Sequence, residues 1–365
     1  MQTLLERLGW TRRWTAEWQE LDDPGLEPGR VAAVERGALG LIGMDQAEGL
    51  TWATHPPSLR LDEVHPELAT PTIGDWVACR RHPHGARVEA ILARRSSFVR
   101  KRAGRTSAPQ LIAANVDRLL IVTAVGEDFS ARRLERYLAA AHAGGVDPII
   151  VLNKCDRPHD ENRVMAEIRA VAGGIDVVRT SALSKGGVGG LEQLVEQGST
   201  LAAVGSSGVG KSSIINRLLG EERLAIGETR AGDDTGKHVT TRRLLMLAPH
   251  FVIIDTPGMR ELGLWDAQEG LLAAFADVET HAAECRFRDC THRHEPGCRV
   301  QEAVREGRLE EARVDAFVAL ELESATQANR SHARAADNTK KRWKTIHRDM
   351  NERRKLQRKW GLKEI

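Results

Sequence analysis

Residues Gly205, Ser206, Ser207, Gly208, Val209, Gly210, Lys211 and Ser212 spell G-x-x-x-x-G-K-S between an apolar run over 201–204 and a helical stretch carrying Ile214, Ile215, Leu218 and Leu219. No other feature restricts the fold as strongly. Glycines at these places let successive backbone N–H groups turn inward around a phosphate, and such a cradle needs a buried strand before it and a helix N-terminus after it. Lys211 then reaches the outer phosphate oxygens, Ser212 ligates Mg²⁺, and Ser213 continues the first helical turn beside them. A chance match to the four fixed positions arises on the order of once per hundred chains of this length. The surrounding texture agrees. Apolar runs over 119–124, 148–152, 177–179, 201–204, 244–247 and 251–254 alternate with helical stretches over 131–143, 161–171, 191–196 and from 211 onward. Alternation of this kind predicts a parallel sheet covered on both faces, here over 113–268.

The base is chosen elsewhere. Asn153, Lys154, Cys155 and Asp156 read N-K-x-D after the run 148–152. Guanine presents two adjacent N–H donors on one edge, which the Asp156 carboxylate can accept as a charge-assisted pair; adenine presents an acceptor there. Thr180, Ser181, Ala182 and Leu183 end the next strand and supply a loop to close over the base. Asp255, Thr256, Pro257 and Gly258 end the run 251–254, so that Asp255 would hold Mg²⁺ through water and the Gly258 N–H would sense the γ-phosphate. Between these motifs, the polar segment 232–241 has the composition of a switch loop. The order is unusual. N-K-x-D and T-S-A-L precede the phosphate loop instead of following it, so the domain is circularly permuted, and the chain leaves it just after D-T-P-G.

The flanks differ in character. Residues 1–29 contain a helix-like segment and a Pro/Gly-rich exit, an extension to the rest. Short β-like runs over 30–34, 39–43, 50–53, 75–80 and 86–92, separated by Gly, Pro and His, predict a small all-β barrel within 30–112. Over 269–335 the pattern turns helical around Cys285, Cys290, His292 and Cys298, spaced C-x4-C-x-H-x5-C. Three thiolates and an imidazole make a closed tetrahedral set for one structural Zn²⁺; reduced free cysteines are the alternative, with His281 and His294 as competing ligands. Cys79 and Cys155 stand apart.

Charge is unevenly spread. The formal net charge is +2, but 340–365 carries eleven Lys/Arg against three Asp/Glu, leaving the rest of the chain at −6. A second basic run holds Arg80, Arg81, Arg87, Arg94, Arg95, Arg100, Lys101, Arg102 and Arg105 against Glu89 alone. Two such runs suggest a polyanionic partner, or else solvated faces. With aromatics at 4%, phosphate or shape recognition of RNA is expected over extensive base stacking. No apolar stretch approaches the roughly 20 residues of a membrane span, Glu6, Arg12, Arg13 and Glu17 interrupt any signal-like run, and five cysteines suit a reducing compartment. A cytoplasmic monomer with no membrane partner is expected.

As a set, the stretch Gln110 to Ala124, NKCD, TSAL, GSSGVGKSS, DTPGMRE and C-x4-C-x-H-x5-C resemble the RsgA (YjeQ) family over about 30–325. The resemblance implies an OB-fold, a permuted GTPase domain, a zinc domain with a basic tail over 336–365, and action in late maturation of the 30S subunit. It also implies contact with 16S rRNA, and hydrolysis of GTP to GDP stimulated by that particle. Where the family tends to show G-x-H-T-T-T, this chain has Gly236, Lys237, His238, Val239, Thr240 and Thr241, so Thr240 and Thr241 are both candidates for Mg²⁺. Met259 follows D-T-P-G where many GTPases have a water-orienting Gln. His238, matching the family's G-x-H, is then the expected catalytic residue. A nucleotide-gated RNA scaffold that barely turns over is the competing reading, and an adenine-specific ATPase is disfavoured by Asp156.

Overall fold

The computed structural model describes residues 3–35, 37–44, 49–56, 59, 68–101, 109–126, 129–172, 174–184, 186–220, 244–255 and 268–324. His238, Thr240, Thr241, Gly258 and the basic tail lie outside these. Helices α1 (Leu4–Arg7) and α2 (Arg12–Glu20) lead into five strands: β1 (Glu27–Glu35), β2 (Ala38–Ile42), β3 (Thr51–Thr54), β4 (Trp76–His82) and β5 (Gly85–Ile91). Their order is β1-β2-β3-β5-β4, and β4 pairs back onto β1, with Gly29 opposite Val77. All neighbours are antiparallel except β3 and β5. The result is a closed, OB-like barrel filled by Val31, Leu39, Leu41, Val77 and Val88.

A hairpin of β6 (Ser97–Lys101) and β7 (Pro109–Ala114) follows. The second body is built from β8 (Arg118–Ala124), α3 (Ala131–Ala143), β9 (Asp147–Asn153), α4 (Glu161–Ala172), β10 (Val177–Arg179), α5 (Gly189–Glu192), β11 (Thr200–Val204), α6 (Lys211–Leu219), β12 (Leu244–Leu247) and β13 (Val252–Asp255). Its sheet runs β10-β9-β8-β11-β13-β12, parallel apart from β12. Alternate residues of β8 serve opposite faces: Leu119 and Ile121 join one core, Leu120 and Val122 the other. From the β8–β11 boundary the strands are wound outward in opposite directions. That boundary is the switch point where open α/β sheets bind ligands, at the carboxyl ends of the strands.

The two bodies share one sheet. Ala33 of β1 pairs with Leu244 of β12, giving eleven continuous strands and covering what would otherwise be an open edge. A buried cation reinforces the joint. Arg30, 1% exposed, donates from Nη2 to Thr200 Oγ1 at 2.7 Å and to the Asn115 carbonyl at 3.2 Å, and from Nε to the Gly74 carbonyl at 3.3 Å. Nη1 donates to the Leu8 carbonyl, and the guanidinium lies 5.3 Å from the centre of the Trp76 ring. Burial lowers Arg30 to about 10, so it stays charged at neutral pH. The first 29 residues are thus not an appendage: Leu8 and Trp14 are fully buried in the main core.

Four arginines of the basic run over 80–105 are ion-paired. Arg80 pairs with Asp23 at 2.5 Å, Arg81 with Glu27 at 2.8 Å, Arg94 with buried Asp75 at 2.7 Å and Arg95 with Asp117 at 3.0 Å. Sequence counting saw only Glu89 nearby, because these carboxylates come from distant segments. Arg80, Arg81, Arg94 and Arg95 are thus ion-paired, while the side chains of Arg100, Lys101, Arg102 and Arg105 lie outside the described residues.

After β13 the chain forms α7 (Gln268–Ala274), α8 (Ala276–Ala282), α9 (Arg299–Arg305) and α10 over 311–324. Gly270 lets α7 approach α3, since a Cβ there would lie 2.3 Å from the Ala139 carbonyl oxygen. Arg313 of α10 bonds Glu135 of α3 at 3.1 Å and both Asp277 oxygens at 2.9 Å, with its guanidinium 4.2 Å from the Phe275 ring centre. Among the described residues no helix is long and apolar enough to cross a membrane.

Replacing Arg30 by Met keeps the volume apolar but strands the carbonyls of Leu8, Gly74 and Asn115. A loss of about 2–4 kcal/mol in denaturant unfolding is expected. A change below about 0.5 kcal/mol would contradict the role assigned to this joint.

Candidate functional site

The phosphate-loop sequence lies at the switch point. Strand β11 is buried throughout and delivers the chain to Gly205, whose φ of +144° and closeness to β8 admit no side chain: a Cβ would sit 2.1 Å from the Val122 carbonyl oxygen. Gly210 has φ +99°, and a Cβ there would lie 2.2 Å from Asn153 Nδ2. It also precedes α6 with no side chain capping the helix, so the first-turn N–H groups face the loop as anion donors. Lys211 Nζ donates to the carbonyls of Gly205 at 2.8 Å and Ser206 at 2.6 Å. Ser212 and Ser213 follow in the same turn, half-buried. Ser207 and Gly208 are exposed at the rim, while Val209 is buried beneath them.

Asn153 brings the second motif to the first. It is 2% exposed; its Nδ2 donates to the Val209 carbonyl at 2.8 Å, and its Oδ1 accepts from Thr180 Oγ1 and the Ala182 N–H, each at 3.2 Å. Three loops are joined by one amide. Lys154 then adopts φ +61°, a left-handed turn uncommon for a residue with a side chain, and Asp156 follows on the exposed side. Ser181 Oγ donates to Asp156 Oδ1 at 2.6 Å, and this bond, with backbone help, holds the carboxyl below its ordinary range. Ser184 Oγ in turn donates to Ser181 Oγ at 2.9 Å. A fixed, ionised carboxylate at the end of a parallel strand suits paired N–H donors on a base edge.

Sequence reasoning missed two supports. Arg217 of α6 donates from Nε to the Ala182 carbonyl at 2.9 Å, tying the T-S-A-L loop to the phosphate-loop helix, and Arg133 of α3 donates to Ser206 Oγ. Neither carries a local signal, since the partners are 35 and 73 residues away. Asp255 ends β13, half-buried.

The second cluster is compact. The ligand atoms of Cys285, Cys290, His292 and Cys298 all lie within 4.8 Å of one another. Cys285 Sγ is 3.9 Å from Cys298 Sγ and 3.6 Å from His292 Nδ1, and Cys298 Sγ is 3.7 Å from His292 Nδ1. A zinc tetrahedron with ordinary bond lengths has S···S edges of about 3.8 Å and S···N edges of about 3.6 Å. The group could therefore hold one zinc ion. His281 and His294 are not among the four. Burial first, then hydrogen bonds with Cys298 and Cys285, push Cys290 up to about 12, and a bound cation would displace that proton. His292 sits at φ +58°, in a turn braced by Glu295. The Glu295 carboxylate accepts from Thr291 N at 3.0 Å, Thr291 Oγ1 at 2.5 Å, and the N–H groups of Arg293 and His294 at 3.1 Å each.

Metal analysis of protein with reduced thiols should find one Zn²⁺ per chain. Glu295→Gln replaces an acceptor by an amide donor facing those N–H groups, and is expected to weaken zinc about tenfold or more in competition with a chelator. Absence of metal, or equal retention by the variant, would contradict this.

Comparison with known proteins agrees with this architecture. The profile of the RsgA GTPase family matches residues 91–265. A protein of Opitutus terrae named small ribosomal subunit biogenesis GTPase RsgA is 39% identical over 98% of this chain and 99% of its own length. One of the same name from Methanosarcina acetivorans is 43% identical over 78% of each chain. Among solved structures, YjeQ from Thermotoga maritima superposes with a TM-score of 0.60 at 23% identity, covering 81% of this chain and 97% of that one. The circularly permuted GTPase YloQ superposes with a TM-score of 0.58 at 23% identity, covering 84% and 97%. The permuted order of motifs, the barrel and the Cys/His group accompany near full-length identity, and the chain accordingly belongs to the RsgA family of GTP-hydrolysing enzymes.

Proposed function

We propose that this chain acts in maturation of the small ribosomal subunit, binding the 30S particle through its 16S rRNA and hydrolysing GTP to GDP under stimulation by that particle. The observation that carries the nucleotide part is the Asn153 amide, which locks the Asp156 loop to the phosphate loop. The assembly part is supported by the relatives' name, small ribosomal subunit biogenesis GTPase. GTP is held by Asn153, Lys154, Asp156, Ser181 and Ala182 at the base and by 205–213 at the phosphates, with the Gly258 N–H sensing the γ-phosphate. Mg²⁺ is held by Ser212, by Thr240 or Thr241, and through water by Asp255. His238 orients the attacking water when the particle is bound. One Zn²⁺ staples 269–335, and the tail over 336–365 binds rRNA phosphates. On the barrel, Trp52 of β3 is 43% exposed, and a flat ring on the β2–β3 face supports RNA contact there. The chain works as a cytoplasmic monomer, divided near 30, 113, 269 and 336.

Asp156→Asn tests the base assignment. The amide presents a donor where guanine also donates, so GTP affinity is expected to fall at least tenfold while rejection of xanthine nucleotides relaxes. Unchanged GTP affinity in a titration would remove Asp156 from the site.

A further inference from the structure

The first turn of α3 abuts the phosphate loop, where the Arg133 guanidinium donates to Ser206 Oγ. One neighbouring cation is already committed. Arg136, one turn further, pairs with Glu323 at 3.1 Å, and the carboxylate nearest in sequence, Glu135, is turned inward and bound to Arg313. Among the described residues Arg133 has no carboxylate partner, so an exposed guanidinium rests on a neutral hydroxyl at the rim of an anion cradle. Its backbone is held in place. Two residues along the same helix, the buried Glu135–Arg313 bond fixes α3 from behind, and Gly270 lets α7 close against Ala139 and Ala143.

The cradle already matches the charge of the phosphate it encloses, through the loop N–H groups, the α6 N-terminus and Lys211. A cation at the rim meets only what projects beyond the loop. We infer that Arg133 is a phosphate-binding residue: it swings from Ser206 onto the terminal phosphate of bound GTP. It thereby supplies, from within the chain, a charge that GDP cannot engage and that favours the transition state of hydrolysis. The inference rests on the nucleotide site proposed above.

The test is titration of full-length protein with a non-hydrolysable GTP analogue and with GDP. Arg133→Ala is expected to weaken the analogue about tenfold or more and GDP less than twofold, and Arg133→Lys to recover part of the loss. Stimulated GTP turnover should fall with the analogue's affinity. Equal affinities for wild type and Arg133→Ala would make this a surface arginine. An equal loss for both nucleotides would mean that it only braces the loop through Ser206. Either result overturns the inference while leaving the site. Lys211→Ala separates the two levels: if that variant keeps both nucleotides, the site reading itself falls, and the inference with it.

Discussion

The proposed nucleotide site depends on one buried amide. Permutation places the N-K-x-D loop about fifty residues before the phosphate-loop motif, and no short covalent path fixes one against the other. Asn153 does so by using both ends of its side chain, donating to Val209 and accepting from Thr180 and Ala182. A buried amide of this kind is stable only when its groups are satisfied, which makes the arrangement all-or-none. It also dictates Gly210, where any side chain would collide with the amide nitrogen. From that joint the left-handed Lys154, the Ser181–Asp156 bond and the uncapped start of α6 follow in turn.

Two buried arginines attach the flanking bodies to this centre. Arg30 joins α1, the barrel and the start of β11; Arg313 joins the zinc-side helices to α3. Both have a guanidinium fork engaged in several directions, which a lysine could not reproduce. They act close to the proposed nucleotide site. Strand β11 runs directly into the phosphate loop, and α3 carries Arg133 to its rim. Strand β12, which ends just before the β13 strand bearing Asp255, pairs with barrel strand β1. Forces on either flank therefore reach the site through packed elements.

Much of this was legible in the sequence because it is locally encoded. The phosphate loop, N-K-x-D and the Cys/His spacing each lie within fourteen residues, and apolar runs placed the barrel and sheet strands to within a few residues. Motif order alone gave the permutation. What escaped was long-range or chemically disguised. Strand β6 reads as a basic run because Arg100 and Lys101 close it, and the short α5, Gly189–Glu192, was expected later, over 191–196. Arg30 meets Thr200 from 170 positions away, and Arg313 meets Glu135 from 178, distances at which no spacing rule operates. The partners of Arg80, Arg81 and Arg95 escaped for the same reason.

In the function proposed for this chain, hydrolysis is a property of its complex with the small subunit, and Asp156 chooses the base. Steady-state turnover of GTP and ATP by the full-length protein, with and without saturating 30S particles, addresses that most directly. Slow GTP hydrolysis alone, a rise of about 10²-fold with the particle, and no comparable ATP turnover are the expected results. A GTP rate that is the same with and without particles, or an ATP rate that matches it, would contradict the account.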